Sequence, residues 1–90
     1  MLITYDINKS QRNIKLRDLS FEKTKEFDWD TALIWQDERF QYLEIRFIAL
    51  GYLDERLHSI CFTPRDDSIR IISFRKANKR EQRKYEREYK

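Results

Sequence analysis

The stretch RIISFRKANKREQRKYEREYK, Arg70 to Lys90, predicts a strand followed directly by a helix. The strand runs from Ile69 to about Arg75 and has two alternating faces, Arg70, Ile72 and Phe74 against Ile71, Ser73 and Arg75. Apolar residues on both faces predict a central strand that is covered on both sides. Asn78 offers an N-cap, and Glu81 three residues later completes a capping box. We therefore expect a strongly basic C-terminal helix after this strand.

Three further strands are expected to precede this one as an antiparallel meander. TALIWQ, Thr31 to Gln36, reads as a strand, and DERFQ after it reads as a polar turn. The next strand, Tyr42 to Tyr52, is predicted to place one set of residues on a core face: Leu43, Ile45, Phe47, Ala49 and Gly51. A strand from about Arg56 should add His58, Ile60 and Phe62 to that face, before Pro64 begins the turn PRDDS.

The first thirty residues predict a short strand and two helices. Leu2 to Tyr5 mixes aliphatic, β-branched and aromatic residues, as strands do. Asp6 can cap a helix from Ile7 to Leu16, in which Ile7 and Ile14 lie two turns apart and predict a narrow buried stripe. Ser20 can cap a second short helix that runs through Phe27. The predicted class is α+β with the order β-α-α-β-β-β-β-α: an antiparallel twisted sheet, two N-terminal helices on one face and a basic C-terminal helix. We expect residues 1–90 to form a single domain.

Composition excludes several classes of protein. The chain has one His and one Cys, which cannot build the usual zinc set, and it contains neither a GxGxxG nor a GxxxxGK loop. We expect no metal and no cofactor. A lone Cys61 in an apolar strand is typical of a small core residue in a reducing compartment. Without a signal-like start or a long apolar run, the prediction is a cytoplasmic protein with no membrane association.

Charge is distributed unevenly along the chain. Residues 1–69 carry ten Lys or Arg against thirteen Asp or Glu, whereas residues 70–90 carry nine against three. A basic segment on a mildly acidic body favours phosphate, because each neutralised phosphate releases counterions. The alternative is a solvated helix face with no ligand.

Strand parity predicts a cluster of arginines on the face opposite the core. On that face each of three strands carries a pair of polar residues: Glu44 and Arg46, Thr63 and Arg65, Ser73 and Arg75. Such a cluster suits RNA, since Arg binds phosphate bidentately and stabilises the charge of a phosphorane-like transition state. The alternative is a set of cross-strand surface ion pairs, each worth ~0.2–1 kcal/mol.

RNA cleavage needs no metal if the neighbouring 2′-hydroxyl attacks the phosphorus and a protein group takes its proton. The acid and base candidates are Glu44, Glu81, Tyr85 and His58, in no fixed order. For His58 a structural role is expected, because its parity places it with the core residues Ile60 and Phe62. Tyr85 can stack on a base or lean on the sheet.

Several of these residues belong to a longer pattern that spans nearly the whole chain. The pattern consists of Asp6, Lys9, Asn13, Ser20-Phe21, Glu44 with Arg46, Gly51, Thr63 with Arg65, RIISFRKA from Arg70 to Ala77, and Glu81 with Tyr85. This pattern resembles the BrnT family of toxins from bacterial type II toxin-antitoxin pairs. The resemblance implies a RelE-like fold, a ribonuclease activity that arrests translation, and neutralisation by a cognate BrnA-type antitoxin. It also implies that the toxin forms a heterotetramer with an antitoxin dimer. In this complex only the antitoxin would contact operator DNA.

The chain departs from the family pattern before the second helix. Where the family usually has Lys-His-Gly, this chain has Leu16, Arg17 and Asp18. Arg17 keeps a cation in place of a titrating His, and Asp18 tolerates the left-handed conformation that Gly favours. The basic residues expected to bind RNA are Arg17, Arg70, Lys76, Lys79, Arg80, Arg83 and Lys84. Two alternatives stay open: a non-catalytic module that binds RNA or protein, and a basic surface that serves mainly the antitoxin.

Overall fold

The computed structural model describes residues 2–89 as an α+β fold with a five-stranded sheet and helices near both ends. The elements are β1 (Ile3–Tyr5), α1 (Ile7–Arg17), a 3₁₀ helix (Phe21–Glu26), β2 (Leu33–Gln36), β3 (Phe47–Leu53), β4 (Arg56–Pro64), β5 (Ile69–Lys76) and α2 (Lys79–Glu88). The predicted α+β class is confirmed. The expected second N-terminal helix is instead a 3₁₀ helix, a form that proteins use in short pieces.

The sheet is mixed, and the prediction of a purely antiparallel sheet is wrong at one edge. Its strand order is β1-β5-β4-β3-β2, and only β1 runs parallel to its neighbour. β1 pairs with β5 from Ile3 opposite Ile69 to Tyr5 opposite Ile71. The sequence pattern could not reveal this, because period-two alternation reports the faces of a strand and not its direction. The predicted central position of β5 is confirmed, because β5 pairs with β1 on one edge and with β4 on the other.

One face of the sheet carries the main hydrophobic core, as predicted. Ala49, Ile60 and Phe74 on this face are buried and pack against Phe21 and Phe27 from the chain between α1 and β2. Gly51 is required by this packing, since a Cβ there would lie 2.6 Å from Phe27 Cζ. The aromatic ring thus takes the space that a side chain on β3 would need.

Helix α1 is attached to the rest of the protein mainly through polar contacts. Ile7 and Ile14, which were expected to form its buried stripe, are exposed, and Ser10 is its buried residue. Ser10 Oγ accepts a hydrogen bond from Phe21 N–H, and the Asn13 amide donates to the carbonyls of Leu19 and Phe74, both at 2.9 Å. The apolar-stripe prediction was wrong because hydrogen bonds, not apolar burial, hold this helix.

The segment before β3 is a loop and not the strand that alternation predicted. Pairing between β2 and β3 ends at Gln36 opposite Phe47, and one further bond from Asp37 N–H to the Arg46 carbonyl closes the loop. Leu43 and Ile45, expected in the core, are exposed. The sequence alternation continues before Phe47, but the strand does not, because its partner β2 is only four residues long and offers no residues to pair with.

A β-bulge in β5 changes the predicted facing of its residues. Ser73 pairs with Cys61, whereas Ile71 pairs with the next residue of β4, Phe62, so Ile72 has no partner there. The extra residue reverses the parity of the first half of the strand. Arg70, opposite Thr63, therefore shares the face of Ser73 and Arg75, where simple alternation had placed it with Phe74.

Helix α2 covers one end of the other face. Leu50, Leu57, Ala77 and Tyr85 form a small second core there, with Leu33 and Trp35 packed against it. The predicted capping box is present in both directions between Asn78 and Glu81. The caps predicted at Asp6 and Ser20 are also confirmed, and Asp18 ends α1 in the left-handed conformation, with φ of 57°.

Candidate active site

The three arginines singled out from strand parity lie on one face of the sheet, opposite the main core. Arg46 directly precedes the core-facing Phe47, and Arg75 lies opposite Ser59 in the pairing of β4 with β5. Arg65 follows the end of β4, and its Nη1 lies 3.4 Å from Thr63 Oγ1. Since partners in register share a face, Arg70 joins this surface opposite Thr63. We call Arg46, Arg65, Arg70 and Arg75 the arginine face.

Glu44 lies between two members of the arginine face. Its carboxylate oxygens are 3.7 Å from Arg46 Nη2 and 3.9 Å from Arg65 Nη2. Both distances exceed those of hydrogen bonds, so the carboxylate is held by charge rather than by fixed donors. The Arg46 guanidinium also lies over the Tyr42 ring, 4.2 Å from its centroid, and its Nε is buried without a partner among residues 2–89.

Arg75 and Glu81 form the most ordered ion pair of this surface. Two hydrogen bonds of 2.8 and 2.9 Å join the guanidinium to the two carboxylate oxygens. These bonds raise the pKa of Arg75 against the opposing effect of burial. Burial tends to raise the pKa of Glu81, but its bonds to Arg75 and to Asn78 N–H prevail, so this pKa is lowered. Glu81 is therefore a firmly ionised carboxylate.

Arg75 also borders a cleft along the part of β5 that β1 leaves unpaired. The cleft has a volume of about 650 Å³ and brings Arg17 at the end of α1 together with Arg75 and Lys76. These residues, predicted separately to contact RNA, therefore line one concave surface. The left-handed turn at Asp18 reverses the chain here and places Arg17 at the rim.

Sequence reasoning missed a hub at Asp37, in a segment interpreted only as a polar turn. The Asp37 carboxylate is 2% exposed and accepts bonds of 2.8 and 2.9 Å from Arg39 Nε and Nη2. It also accepts a 2.9 Å bond from the Tyr42 hydroxyl. The bonds from Arg39 hold the pKa of Asp37 well below its usual range, although burial opposes them. The sequence did carry one signal of this arrangement. Asp37 lies at a strand end two residues before Arg39, the spacing of an Asx turn, in which the Asp side chain accepts a bond from the N–H two residues later.

Tyr85 and His58 lie in packed surroundings. The Tyr85 hydroxyl donates to the Thr31 carbonyl at 2.9 Å, and its ring contacts those of Tyr52 and Tyr89. His58 is buried against Phe74, and its Nδ1 lies 2.7 Å from the Arg56 carbonyl oxygen. Burial lowers the pKa of His58, so its neutral form is favoured. These contacts support a packing role for both side chains.

The other residues predicted to bind RNA lie on α2. Lys79, Arg80 and Arg83 are exposed on α2. Lys84, on the same helix, lies over the Trp35 ring at 4.9 Å from its centroid. Cys61 is buried on the arginine face of β4, and burial raises the pKa of its thiol. The catalytic and RNA-binding roles of all these residues stay predictions.

Comparison with known proteins identifies the family. The helices described between residues 2 and 89 are all too short and too polar to span a bilayer. A search of curated proteins gave no match. A family model described as "Ribonuclease toxin, BrnT, of type II toxin-antitoxin system" matches residues 5–81, which include the arginine face, Glu44 and Glu81. The chain belongs to the BrnT family of ribonuclease toxins from type II toxin-antitoxin systems.

Proposed function

We propose that this toxin is a metal-independent endoribonuclease that inhibits translation in the cytoplasm. A cognate BrnA-type antitoxin would neutralise it in a heterotetramer that contacts operator DNA through the antitoxin. The fold would be of the RelE-like type that the family resemblance implies. The observation that carries the proposal is the arginine face, because Arg46, Arg65, Arg70 and Arg75 all lie on one side of the sheet.

The arginine face is suited to a phosphodiester in its ground state and in its transition state. Arg46 and Arg65 are held only loosely by Glu44, so both retain free N–H donors for phosphate oxygens. Arg75 is fixed by Glu81, and a fixed guanidinium can stabilise the extra negative charge of a phosphorane without reorganising. Family membership in the ribonuclease toxins agrees with this chemistry.

The proposed reaction is transfer of the phosphodiester to the neighbouring 2′-oxygen. The 2′-oxygen attacks phosphorus while its proton passes to a base, and the bond from phosphorus to the 5′-oxygen breaks. The products are a 2′,3′-cyclic phosphate and a 5′-hydroxyl, whose proton comes from an acid or from water. No metal is needed in this scheme, since guanidinium groups supply the positive charge.

Among the base candidates, Glu44 fits the proposed reaction best. Both of its oxygens lie beyond hydrogen-bonding distance of the two guanidinium groups, so they can accept a proton from the 2′-hydroxyl. Glu81 is committed to Arg75 and to the cap of α2, which suits a positioning role. The Tyr85 hydroxyl and the His58 ring are engaged with backbone carbonyls.

Induced expression tests the proposal directly. The toxin is produced alone and beside its antitoxin, and protein synthesis and total RNA are followed. We expect arrest of synthesis and new RNA ends bearing 5′-hydroxyls only when the antitoxin is absent. Purified toxin should cut RNA equally well in excess EDTA. Steeply salt-dependent RNA binding with the RNA left intact would instead support a non-catalytic binding module.

A further inference from the structure

The loop from Asp37 to Arg46 is longer than the usual hairpin connection and is organised around a buried charge. Asp37 fixes Arg39 and Tyr42, and the Tyr42 ring supports the Arg46 guanidinium. A loop ordered by hydrogen bonds rather than by apolar burial can present side chains to solvent in fixed positions. Long ordered loops of this kind often carry binding sites.

Arg39 is the best-oriented exposed cation of this loop. Its side chain is 69% exposed, and its Nε and Nη2 donate hydrogen bonds to Asp37. The Nη1 donors are therefore left to face solvent. The bonds to Glu81 raise the pKa of Arg75, and the positive charge of Arg39 acts in the opposite direction by lowering it. The charges of Arg39 and Arg75 are therefore close enough to interact.

Phe40, the next residue, presents an aromatic ring at the mouth of a cleft. The side chain is 68% exposed and packs edge to face on Tyr42, with centroids 6.0 Å apart. The cleft has a volume of about 630 Å³ and is bordered by Glu44 and Arg46 of the candidate active site. Its other polar lining residues are Gln36, Asp37, Glu38 and Gln41.

The chemistry of this cleft suits a nucleobase rather than a phosphate. Its carboxylates would repel a phosphate, but a carboxylate accepts hydrogen bonds from the exocyclic amino group of a base. An exposed aromatic ring beside such acceptors is the arrangement on which unpaired RNA bases stack. Arg39 lies at the start of the same loop and can bind the phosphate that flanks that base.

We propose that the loop Asp37–Arg46 forms the subsite for the nucleotide next to the scissile phosphate, with Phe40 stacked on its base and Arg39 on its flanking phosphate. This inference rests on the proposed ribonuclease function. Because Glu38 lines the cleft as an acceptor, the subsite favours bases that carry an amino group over uracil. The alternative occupant is the antitoxin, which the exposed side chains of Leu43 and Ile45 would also suit.

The test compares Phe40→Leu, Phe40→Trp and Arg39→Lys, with Lys25→Ala at an exposed position of the 3₁₀ helix as the matched control. Each full-length toxin is induced without antitoxin, and new RNA 5′ ends are sequenced and normalised to toxin abundance. We expect Phe40→Leu to reduce cleavage at least about 5-fold and to flatten the base preference at one flanking position. Phe40→Trp should keep both properties. Arg39→Lys keeps a cation beside the buried Asp37 carboxylate but offers fewer donors to a phosphate, so it should reduce cleavage without changing the base preference.

Three outcomes would overturn the subsite. Phe40→Leu could cleave like the wild type with the same base preference. Wild-type cleavage could favour uracil at every flanking position. Phe40→Leu could also change only the dissociation constant for the antitoxin, which would assign the loop to that partner. Absence of new RNA ends from the wild type would overturn the proposed function and the subsite together, so the two failures are distinguishable. Thermal unfolding of each variant identifies any loss of fold.

Discussion

Arg75 at the end of β5 and Glu81 in the first turn of α2 are joined by two parallel hydrogen bonds of 2.8 and 2.9 Å. Glu81 simultaneously accepts from Asn78 N–H, at 2.9 Å, as half of the capping box. One carboxylate thus orients an arginine of the candidate active site and begins the helix beside it. The position of Arg75 is therefore fixed by the same residues that determine where α2 starts.

Arg75→Ala is expected to remove most of the ribonuclease activity. If Arg75 stabilises developing charge on the phosphorane, its loss should lower the cleavage rate by about 10²–10³-fold, as for one oxyanion donor. RNA cleavage and growth arrest after induction measure the effect, and Lys25→Ala, at an exposed position of the 3₁₀ helix, is the control. The variant should still show a cooperative thermal transition. Undiminished cleavage in a folded Arg75→Ala protein would remove this residue from the mechanism.

Asp37→Asn is expected to change how stability depends on pH. The bonds from Arg39 lower the pKa of Asp37 in the folded state, so the stability it adds is present above the unfolded value of about 4 and is lost as the pH falls below it. At pH 7 the variant should lose about 1–3 kcal/mol, since the bonds to Arg39 and Tyr42 weaken.

Urea unfolding between pH 7 and pH 2 checks this expectation. The difference between wild type and Asp37→Asn should shrink as the pH falls below about 4, because the Asp37 carboxylate then binds a proton in the unfolded chain while it stays ionised in the folded protein. Asp30→Asn, at an exposed position, is the matched control and should follow the wild type throughout. A constant difference at every pH would show that Asp37 contributes by shape rather than by charge.

Gly51→Ala is expected to destabilise the fold by about 1–3 kcal/mol, as overpacking of a core does. The added methyl group would meet the Phe27 ring at 2.6 Å, closer than Cβ atoms approach other atoms. Thermal unfolding measures the loss. Phe27→Leu should cost stability in the wild type but less in Gly51→Ala, because the smaller side chain makes room. Additive losses in the double variant would contradict the assigned contact.

Local signals predicted the helix ends and most of the strands, because the residues that determine them are close in sequence. Asn78 and Glu81 lie three apart, so their capping box is visible before folding. The core-facing residues Ala49 and Ile60 were predicted from alternation, which each strand carries by itself. Three members of the arginine face, Arg46, Arg65 and Arg75, followed from the same alternation, whereas Arg70 joins them only through the bulge in β5.

Features that depend on distant partners were not predicted. Alternation through Leu43 and Ile45 does not show that β2 ends at Gln36 and leaves them unpaired. The bulge at Ile72 is hidden because Ile71 and Ile72 are equally apolar, so either facing satisfies the pattern. The Asp37 hub was missed for a related reason. In the sequence Asp37 cannot be distinguished from an exposed Asp in a turn, because its burial depends on how the folded loop places Arg39 and Tyr42 around it.

Tyr85→Phe distinguishes packing from chemistry at a residue that the sequence suggested as an acid or base. The phenol donates to the Thr31 carbonyl, and the ring lies between those of Tyr52 and Tyr89. We expect a loss of about 0.5–1.5 kcal/mol in stability, as for one hydrogen bond, with RNA cleavage within about 2-fold of the wild type. A large loss of cleavage with unchanged stability would instead place the hydroxyl in the reaction.

Replacing Arg80 and Arg83 by Gln is expected to weaken RNA binding in a salt-dependent way. Both side chains are exposed on α2, so they can meet phosphates without changing the core. Each lost phosphate contact should reduce the slope of log affinity against log salt by about 0.7 for a single strand. An all-2′-O-methyl oligonucleotide, which cannot be cleaved, serves as the probe, and Lys25→Gln is the control. If α2 serves mainly the antitoxin, the slope for RNA stays unchanged while the dissociation constant for the antitoxin rises.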